Sequence, residues 1–283
     1  MSIVIADSGS TKTQWNIVSP NGTIEEFFSI GINPYFISKN DIEQSIVNTI
    51  NLKTRESISS LFFYGSGCSL KEKCDIVSNS LSIVFPNAAI EVHSDLLASG
   101  RSLFGKGNGV ACILGTGSNV AVFENDKFTQ SINSLGYILG DQASGAYIGK
   151  ELVRSYFQED MPLNLRKKFE EFSNIELSDV LERVYKQDFP NRYLASFTPF
   201  ASENIENEFI TTLITDAITK FINLQLGSLD FNKAEYKIGF VGSVAYYFRH
   251  ILKAELNKNG YSIGKIIKAP MEGLLEYHVS AIK

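Results

Sequence analysis

Short apolar runs, each stopped by small polar residues, punctuate the chain. Ile3-Val4-Ile5-Ala6 is the first, and it stops at Asp7. An unbroken apolar run of this length is the pattern of a strand buried on both faces. Gln14 to Val18 and Ile24 to Ser29 follow as strands, with Pro20-Asn21-Gly22 as the turn between them, giving an antiparallel meander. Ile42, Ile46, Val47 and Ile50 then recur at the spacing of one helix face. Leu61-Phe62-Phe63-Tyr64 is a strand stopped by Gly65-Ser66-Gly67. A helix fits Leu70 to Phe85 before Pro86. Ile90 to His93 is a further strand, and a helix starts at Asp95. The first hundred residues thus read β-β-β-α-β-α-β.

The pattern then restarts. Val110 to Leu114 is a strand that runs into Gly115-Thr116-Gly117-Ser118-Asn119, and Val120 to Phe123 is the strand leaving it. Asn125-Asp126 makes the next turn. A glycine-rich passage from Leu135 to Asp141 precedes a helix from near Gln142 to about Phe157. The stretch from Met161 to Thr198 is charged and partly helical, and a long helix is predicted over about Glu203 to Leu226. Tyr236 to Val241 reads as a strand broken at Gly242-Ser243, followed by a helix to about Leu256. No low-complexity segment or linker is visible. The repeated strand, glycine turn and strand predict an α/β fold with a duplicated core. The expected domains are 1–105 and 106–283, with a final helix over about 270–283 that can pack back on the first.

Both turns place small hydroxylated and glycine residues directly after a buried strand. Glycine lets backbone approach a ligand closely, and the amides of such a turn form a concave anion site. The first turn is Ser8-Gly9-Ser10-Thr11-Lys12-Thr13, the second Gly115 to Ser118. One in each half suggests two jaws on one polyphosphate. Neither is a Walker loop, since no Gly-x-x-x-x-Gly-Lys-[Ser/Thr] occurs. The first turn reads either as an ordinary β-turn or as a phosphate loop, and as a phosphate loop it places Asp7 near a magnesium ion, which accepts one carboxylate beside phosphates and keeps its waters. Asp95 stands where a strand ends and a helix begins, the position of an N-cap or of a general base. Asp141 has the same ambiguity. Gly242-Ser243 can floor a nucleotide base or simply turn a strand into a helix. His93, His250 and His278 share no metal-ligand spacing and read as structural; Cys112 and the aromatic Tyr246-Tyr247-Phe248 read as packing.

Charge and composition narrow the partners. The chain has 283 residues, 44% hydrophobic and 20% charged, with a net charge of −5. That size and composition suit a globular protein of two modest domains. The acidic balance argues against a nucleic-acid surface, and no polybasic run offers a membrane patch. No apolar stretch approaches the roughly 20 residues of a membrane helix. The three cysteines form no paired framework, and a reducing cytoplasm is the simplest expected home.

Taken together, these motifs resemble the ATPase domain shared by sugar kinases, Hsp70 chaperones and actin, a two-domain ribonuclease H-like fold. More narrowly the chain resembles the BadF/BadG/BcrA/BcrD-type ATPases, and among them the N-acetylglucosamine kinases. Asp7 to Thr13 is similar to that family's first phosphate motif, Asp-Gly-Gly-Gly-Thr-Lys-Thr, with Ser8 and Ser10 in place of glycines. Gly31-Ile32-Asn33-Pro34 resembles its sugar loop. Ser94-Asp95 resembles the catalytic aspartate, and Leu114 to Asn119 the second phosphate motif. Leu135-Gly136-Tyr137 with Gly140 to Ser144 resembles the Gly-x-x-x-Gly-Asp-Glu-Gly-Ser segment, with Gln142-Ala143 in place of Glu-Gly. Val241 to Val244 resembles the adenosine motif. The resemblance implies ATP and Mg²⁺ as cofactors and an amino sugar, such as N-acetylglucosamine, as acceptor. It implies Asp95 as general base toward a hydroxyl, at C6, and Asn33, Gly136 and Asp141 as sugar contacts. Homodimers are common among such relatives. The alternative within the broad family is an ATPase that activates a radical dehydratase or reductase through a dimer-bridging [4Fe–4S] cluster, with Cys68 and Cys74 as its ligands. A non-catalytic sugar or nucleotide sensor is the third reading.

Overall fold

The computed structural model describes residues 2–9 and 11–280. In chain order its elements are β1 (Ser2–Ser8), β2 (Lys12–Val18), β3 (Ile24–Ile30), α1 (Lys39–Val47), α2 (Leu52–Ser57), β4 (Ile58–Gly65), α3 (Lys71–Val84), β5 (Ala89–Ser94) and α4 (Asp95–Phe104). There follow β6 (Gly109–Leu114), β7 (Ser118–Glu124), β8 (Lys127–Ser131), α5 (Gly136–Leu139), α6 (Gly145–Phe157), α7 (Leu163–Ser173), α8 (Leu177–Tyr185), α9 (Pro190–Ala195), α10 (Thr198–Glu203) and α11 (Glu208–Leu224). The chain continues through β9 (Lys237–Val241), α12 (Ser243–Tyr247), α13 (Arg249–Lys258), β10 (Ser262–Ile267) and α14 (Met271–Ser280). It divides into two compact units, residues 1–105 with 270–283, and residues 106–269.

Each unit has a five-stranded sheet, in the orders β3-β2-β1-β4-β5 and β10-β9-β6-β7-β8. In the first, β1 pairs antiparallel with β2 and parallel with β4. In the second, β6 pairs antiparallel with β7 and parallel with β9. The two orders are therefore the same topology, traced once in each unit. This is the duplicated α/β core that the repeated pattern predicts.

The first strand is apolar throughout because both of its faces are covered. Val4 and Ala6 point with Trp15, Leu61 and Phe63 into a core closed by Ile42 and Ile46 of α1 and Val77 and Leu81 of α3. Ile3 and Ile5 point the other way, with Tyr64, onto Ala98 of α4 and Met271 and Leu274 of α14. In the second unit the sheet packs on α6, α11 and α13 through Val110, Cys112, Ile148, Leu152, Phe221, Phe240 and Leu252. Gly149 lets α6 meet α9 closely: a Cβ there would lie 1.8 Å from the Leu194 carbonyl oxygen.

Some elements depart from the sequence reading. The helix expected over about Glu203 to Leu226 is α11 and starts only at Glu208, because the Asn207 side chain caps it by accepting the Phe209 N–H at 3.0 Å, while Glu203 ends the separate α10. The edge strands β8 and β10 were not anticipated. β8 is largely exposed and polar, and β10 shifts register between Ile263 and Ile266, so neither shows clean alternation. Among the described residues no helix is long and apolar enough to cross a membrane.

Candidate active site

In the first unit, parallel pairing sets Ser8, Gly65 and Ser94 side by side at the carboxyl ends of β1, β4 and β5. Ligands of open α/β sheets bind beyond such ends. Asp7 and Asp95 lie at this edge, and the charge of Asp95 acts on Asp7. Ser94, not Asp95, caps α4: its hydroxyl accepts the Leu97 N–H at 3.3 Å. Asp95 is therefore released from capping. Burial raises its pKa above the usual carboxylate range, opposed by the backbone N–H groups of Leu96 and Asp95. Asp7 is pushed up to about 7, by burial first and then by the negative charge of Asp95, while Lys12 pulls it down.

Asp7 therefore carries a stability signature. Its folded pKa lies above the ordinary value, so the folded state holds the proton more tightly than the unfolded chain. The stabilisation is full below the unfolded pKa of 3.8 and is lost as pH rises through about 7. Metal-free protein is expected to melt at lower temperature at about pH 8 than at about pH 5, and Asp7→Asn should flatten that slope. Thermal melts with a chelator present test it; an unchanged slope in the variant refutes the assignment.

The hydroxyls of Ser8 and Thr13 do not fit the phosphate role read from the sequence. Both residues are fully buried. Ser8 Oγ accepts the Ile32 N–H at 2.8 Å and lies 2.8 Å from Thr13 Oγ1, which donates to the Ile30 carbonyl at 2.8 Å. They fasten the segment around Ile30 and Ile32 to the strand pair. Gly9, Thr11 and Lys12 remain exposed, with the Lys12 ammonium 4.7 Å from the centre of the Phe28 ring. Ser10 lies outside the described residues. Asn33 is fixed by its own turn, its Oδ1 accepting the Tyr35 N–H at 3.0 Å.

In the second unit Gly115, Thr116 and Gly145 line a cavity of about 480 Å³. Thr198 and Glu203 of α10 line it too, together with Ser243, Val244, Tyr247 and Phe248. Gly145 and Ala146 at the start of α6 donate their N–H groups to the carbonyls of Gly115 (2.7 Å) and Thr116 (3.1 Å). Gly242 adopts φ +130°, and a Cβ there would lie 2.2 Å from the Leu114 carbonyl oxygen. Tyr247 and Phe248, read from sequence as packing, thus line a cavity, although Phe248 is also core. The wall from α10 carried no motif by which sequence reasoning could find it.

Asp141 is a buried residue whose Oδ1 accepts the Ser118 N–H at 3.1 Å. A Cβ on Gly117 would meet its other oxygen at 3.1 Å, so Asp141 supports the glycine turn directly. Burial raises its pKa, against the Ser118 N–H and the Lys150 charge. Ser118 is also committed within the unit, since its Oγ accepts from Gln225 Nε2 at 2.8 Å. The same Gln225 nitrogen donates to Gln142 Oε1 at 2.8 Å, a contact that a glutamate could equally accept. Ala143 sits at φ +59°, which accounts for the glycine of the family pattern; alanine costs about 1 kcal/mol there. Gly136 opens the four-residue α5, beside Leu135 on the wall of a second cavity that Asp141, Gln142 and Gln225 also line.

The cysteines do not resemble a cluster site. Cys68 is buried, its thiol pushed up to about 12 by burial first, and Cys74 Sγ donates to the Cys68 carbonyl at 3.3 Å. A cluster would have to deprotonate both thiols against that burial. Among the described residues no group of three or more His, Cys, Asp or Glu is placed to hold a metal ion.

No protein-family model and no curated protein matches the chain. Solved structures do. The crystal structure of the "Putative N-acetylglucosamine Kinase" from Porphyromonas gingivalis is 34% identical, with a TM-score of 0.93, over 99% of this chain and 100% of that one. A second structure described in the same words, from Chromobacterium violaceum, is 16% identical with a TM-score of 0.70, over 98% of each chain. A ROK family glucokinase from Streptomyces griseus, in complex with glucose and AMPPNP, is 13% identical with a TM-score of 0.56, over 98% of each chain. At those lower identities the two structures share the fold.

Proposed function

This chain belongs to the N-acetylglucosamine kinase-like family of actin-fold carbohydrate kinases, and we propose that it transfers the γ-phosphate of ATP to an N-acetylated hexosamine, at the C6 hydroxyl. The observation that carries the reading is Asp95. Its carboxylate stands at the carboxyl edge of the first sheet, relieved of capping by Ser94 and with its pKa raised by burial. A base of raised pKa holds the accepted proton more readily at neutral pH.

In phosphoryl transfer, positioning and charge stabilisation do most of the work. Asp95 takes the proton of the attacking sugar hydroxyl. The exposed Gly9, Thr11 and Lys12 and the second turn at Gly115 and Thr116 bind phosphate oxygens. The cavity from Thr116 to Tyr247 takes the nucleoside, and its volume lies within the usual range for small-molecule sites. Asn33 orients the sugar. Asp141 has a share in both tasks, as sugar contact and as the group that supports the Ser118 amide.

The donor chemistry fits Mg²⁺. Asp7 is an oxygen ligand whose ionisation is held back by burial and by Asp95, and a cation relieves both. Asp7 would hold the ion through water, and the bound ion neutralises phosphate charge.

The test is ADP release from Mg-ATP across N-acetylglucosamine, N-acetylmuramic acid, glucosamine and other amino sugars. ADP formation is expected to depend on an N-acetylated sugar and to fail with its 6-deoxy analogue. Release independent of every sugar overturns the proposal.

A further inference from the structure

We propose that Ser66 is a positioning residue for the acceptor, its hydroxyl bonding a hydroxyl of the sugar beside Asp95. The inference rests on the sugar-kinase reading above and names a residue that the motifs passed over.

Gly65 to Cys68 form a tight turn at the end of the central β4. The Cys68 N–H donates to the Gly65 carbonyl at 3.2 Å, and Gly67 has φ +83°. Those features define a type II turn with Ser66 at its second position. The Ser66 N–H donates to the Ser8 carbonyl at 3.0 Å, which fixes the residue against the end of β1. Because Ser8, Gly65 and Ser94 share one row, Gly9, Ser66 and Asp95 begin the next, beyond the carboxyl edge. Asn33 borders the same turn: a Cβ on Gly67 would stand 2.5 Å from its Oδ1. The turn therefore lies between the general base and the sugar loop.

Ser66 is only half-buried, but its hydroxyl is turned away from solvent and has no hydrogen-bond partner among the described residues, so it meets a sugar by rotating about χ1. A shielded polar atom without a partner carries a desolvation cost that nothing in the fold offsets. Ser8, one row back on the neighbouring strand, differs: its hydroxyl is fully engaged. A hydroxyl can both donate and accept, which matches a sugar hydroxyl and needs no charge. Once sugar is bound, the cost is removed, so the unpaired atom favours the loaded state.

The two possible roles predict opposite behaviour in Ser66→Ala. A structural serine would lower the melting temperature of the ligand-free protein and leave sugar affinity alone. Under the proposal, ligand-free Ser66→Ala melts at or above the wild-type temperature, while KM for the sugar rises about 3- to 10-fold, the range for one neutral hydrogen bond. Sugar-induced thermal stabilisation should shrink in parallel, and Ser66→Thr should restore part of both. A series of monodeoxy sugars identifies the partner: wild-type protein should discriminate against one of them, and Ser66→Ala should lose that discrimination. An unchanged sugar KM in a variant that still turns over, or a lowered ligand-free melting temperature, overturns the role of Ser66. If wild-type protein phosphorylates no sugar at all, the sugar-kinase reading fails instead.

Discussion

Asp95→Asn is expected to cut sugar-dependent ADP formation by about 10²- to 10⁴-fold, the share general-base catalysis contributes, while nucleotide binding persists. The amide keeps the volume of the carboxylate, and the start of α4 does not depend on it because Ser94 supplies the cap. The substitution also removes the negative charge that is the second cause of the raised Asp7 pKa. With that charge gone, the Asp7 value moves down toward its ordinary one. Less stabilisation is then lost as pH rises, so at about pH 8 the ligand-free variant should melt no lower than wild type. A loss of turnover can thereby be separated from a loss of fold. Initial rates with saturating sugar, titration with a non-hydrolysable ATP analogue and melts at two pH values make the comparison. Turnover retained within about tenfold removes Asp95 from the role of base.

Gly242→Ala should be strongly damaging to the second unit. Its φ of +130° is a conformation that side-chain-bearing residues rarely adopt, and the added methyl would approach the Leu114 carbonyl oxygen at 2.2 Å and the Gly115 nitrogen at 3.1 Å. Both obstructing atoms are backbone, at the junction where β6 becomes the glycine turn, so no side chain can swing aside. Overpacking of this kind costs about 1–3 kcal/mol, and the disfavoured φ adds roughly 1–2 kcal/mol more. Either β9 moves away from β6 or the glycine turn distorts, and both change the cavity that runs from Thr116 to Tyr247. A melting temperature lowered by about 10 °C or more is expected, with nucleotide affinity weakened even at temperatures where the variant stays folded. A variant with wild-type stability and affinity would mean that the β6–β9 junction yields far more readily than its backbone contacts imply.

The parts of the fold that sequence makes legible are those where burial is two-sided or a turn demands a particular residue. Ile3 to Ala6 and Val110 to Leu114 read as central strands because apolar side chains are needed on both faces. The polar edge strand β8 and the register-shifted β10 lack that signal, since an edge exposed to water accepts almost any residue. The site shows the same division. Asp7, Asp95 and the glycine turns are recognisable as residue types in a particular place. The engagement of Ser8 and Thr13 was hidden, because a hydroxyl reads the same in sequence whether it faces a ligand or the Ile30 and Ile32 backbone. The α10 wall of the cavity at Thr116, and Gln225, were hidden for another reason. They reach Thr116, Ser118 and Gln142 across long separations in sequence, without a local pattern.

The first sheet and α14 also impose an order on synthesis. Met271 and Leu274 cover Ile3 and Ile5, Tyr64 Oη lies 2.7 Å from His278 Nε2, and a Cβ on Gly273 would lie only 2.3 Å from the Ser102 carbonyl oxygen. A ribosome releases β1 first and α14 only after the whole of residues 106–269. Throughout that interval one face of the earliest sheet lacks its final layer. Helix α14 therefore acts as a completion signal: a nascent chain can assemble its second unit as a continuous segment, whereas the first must wait for residues made after that whole unit.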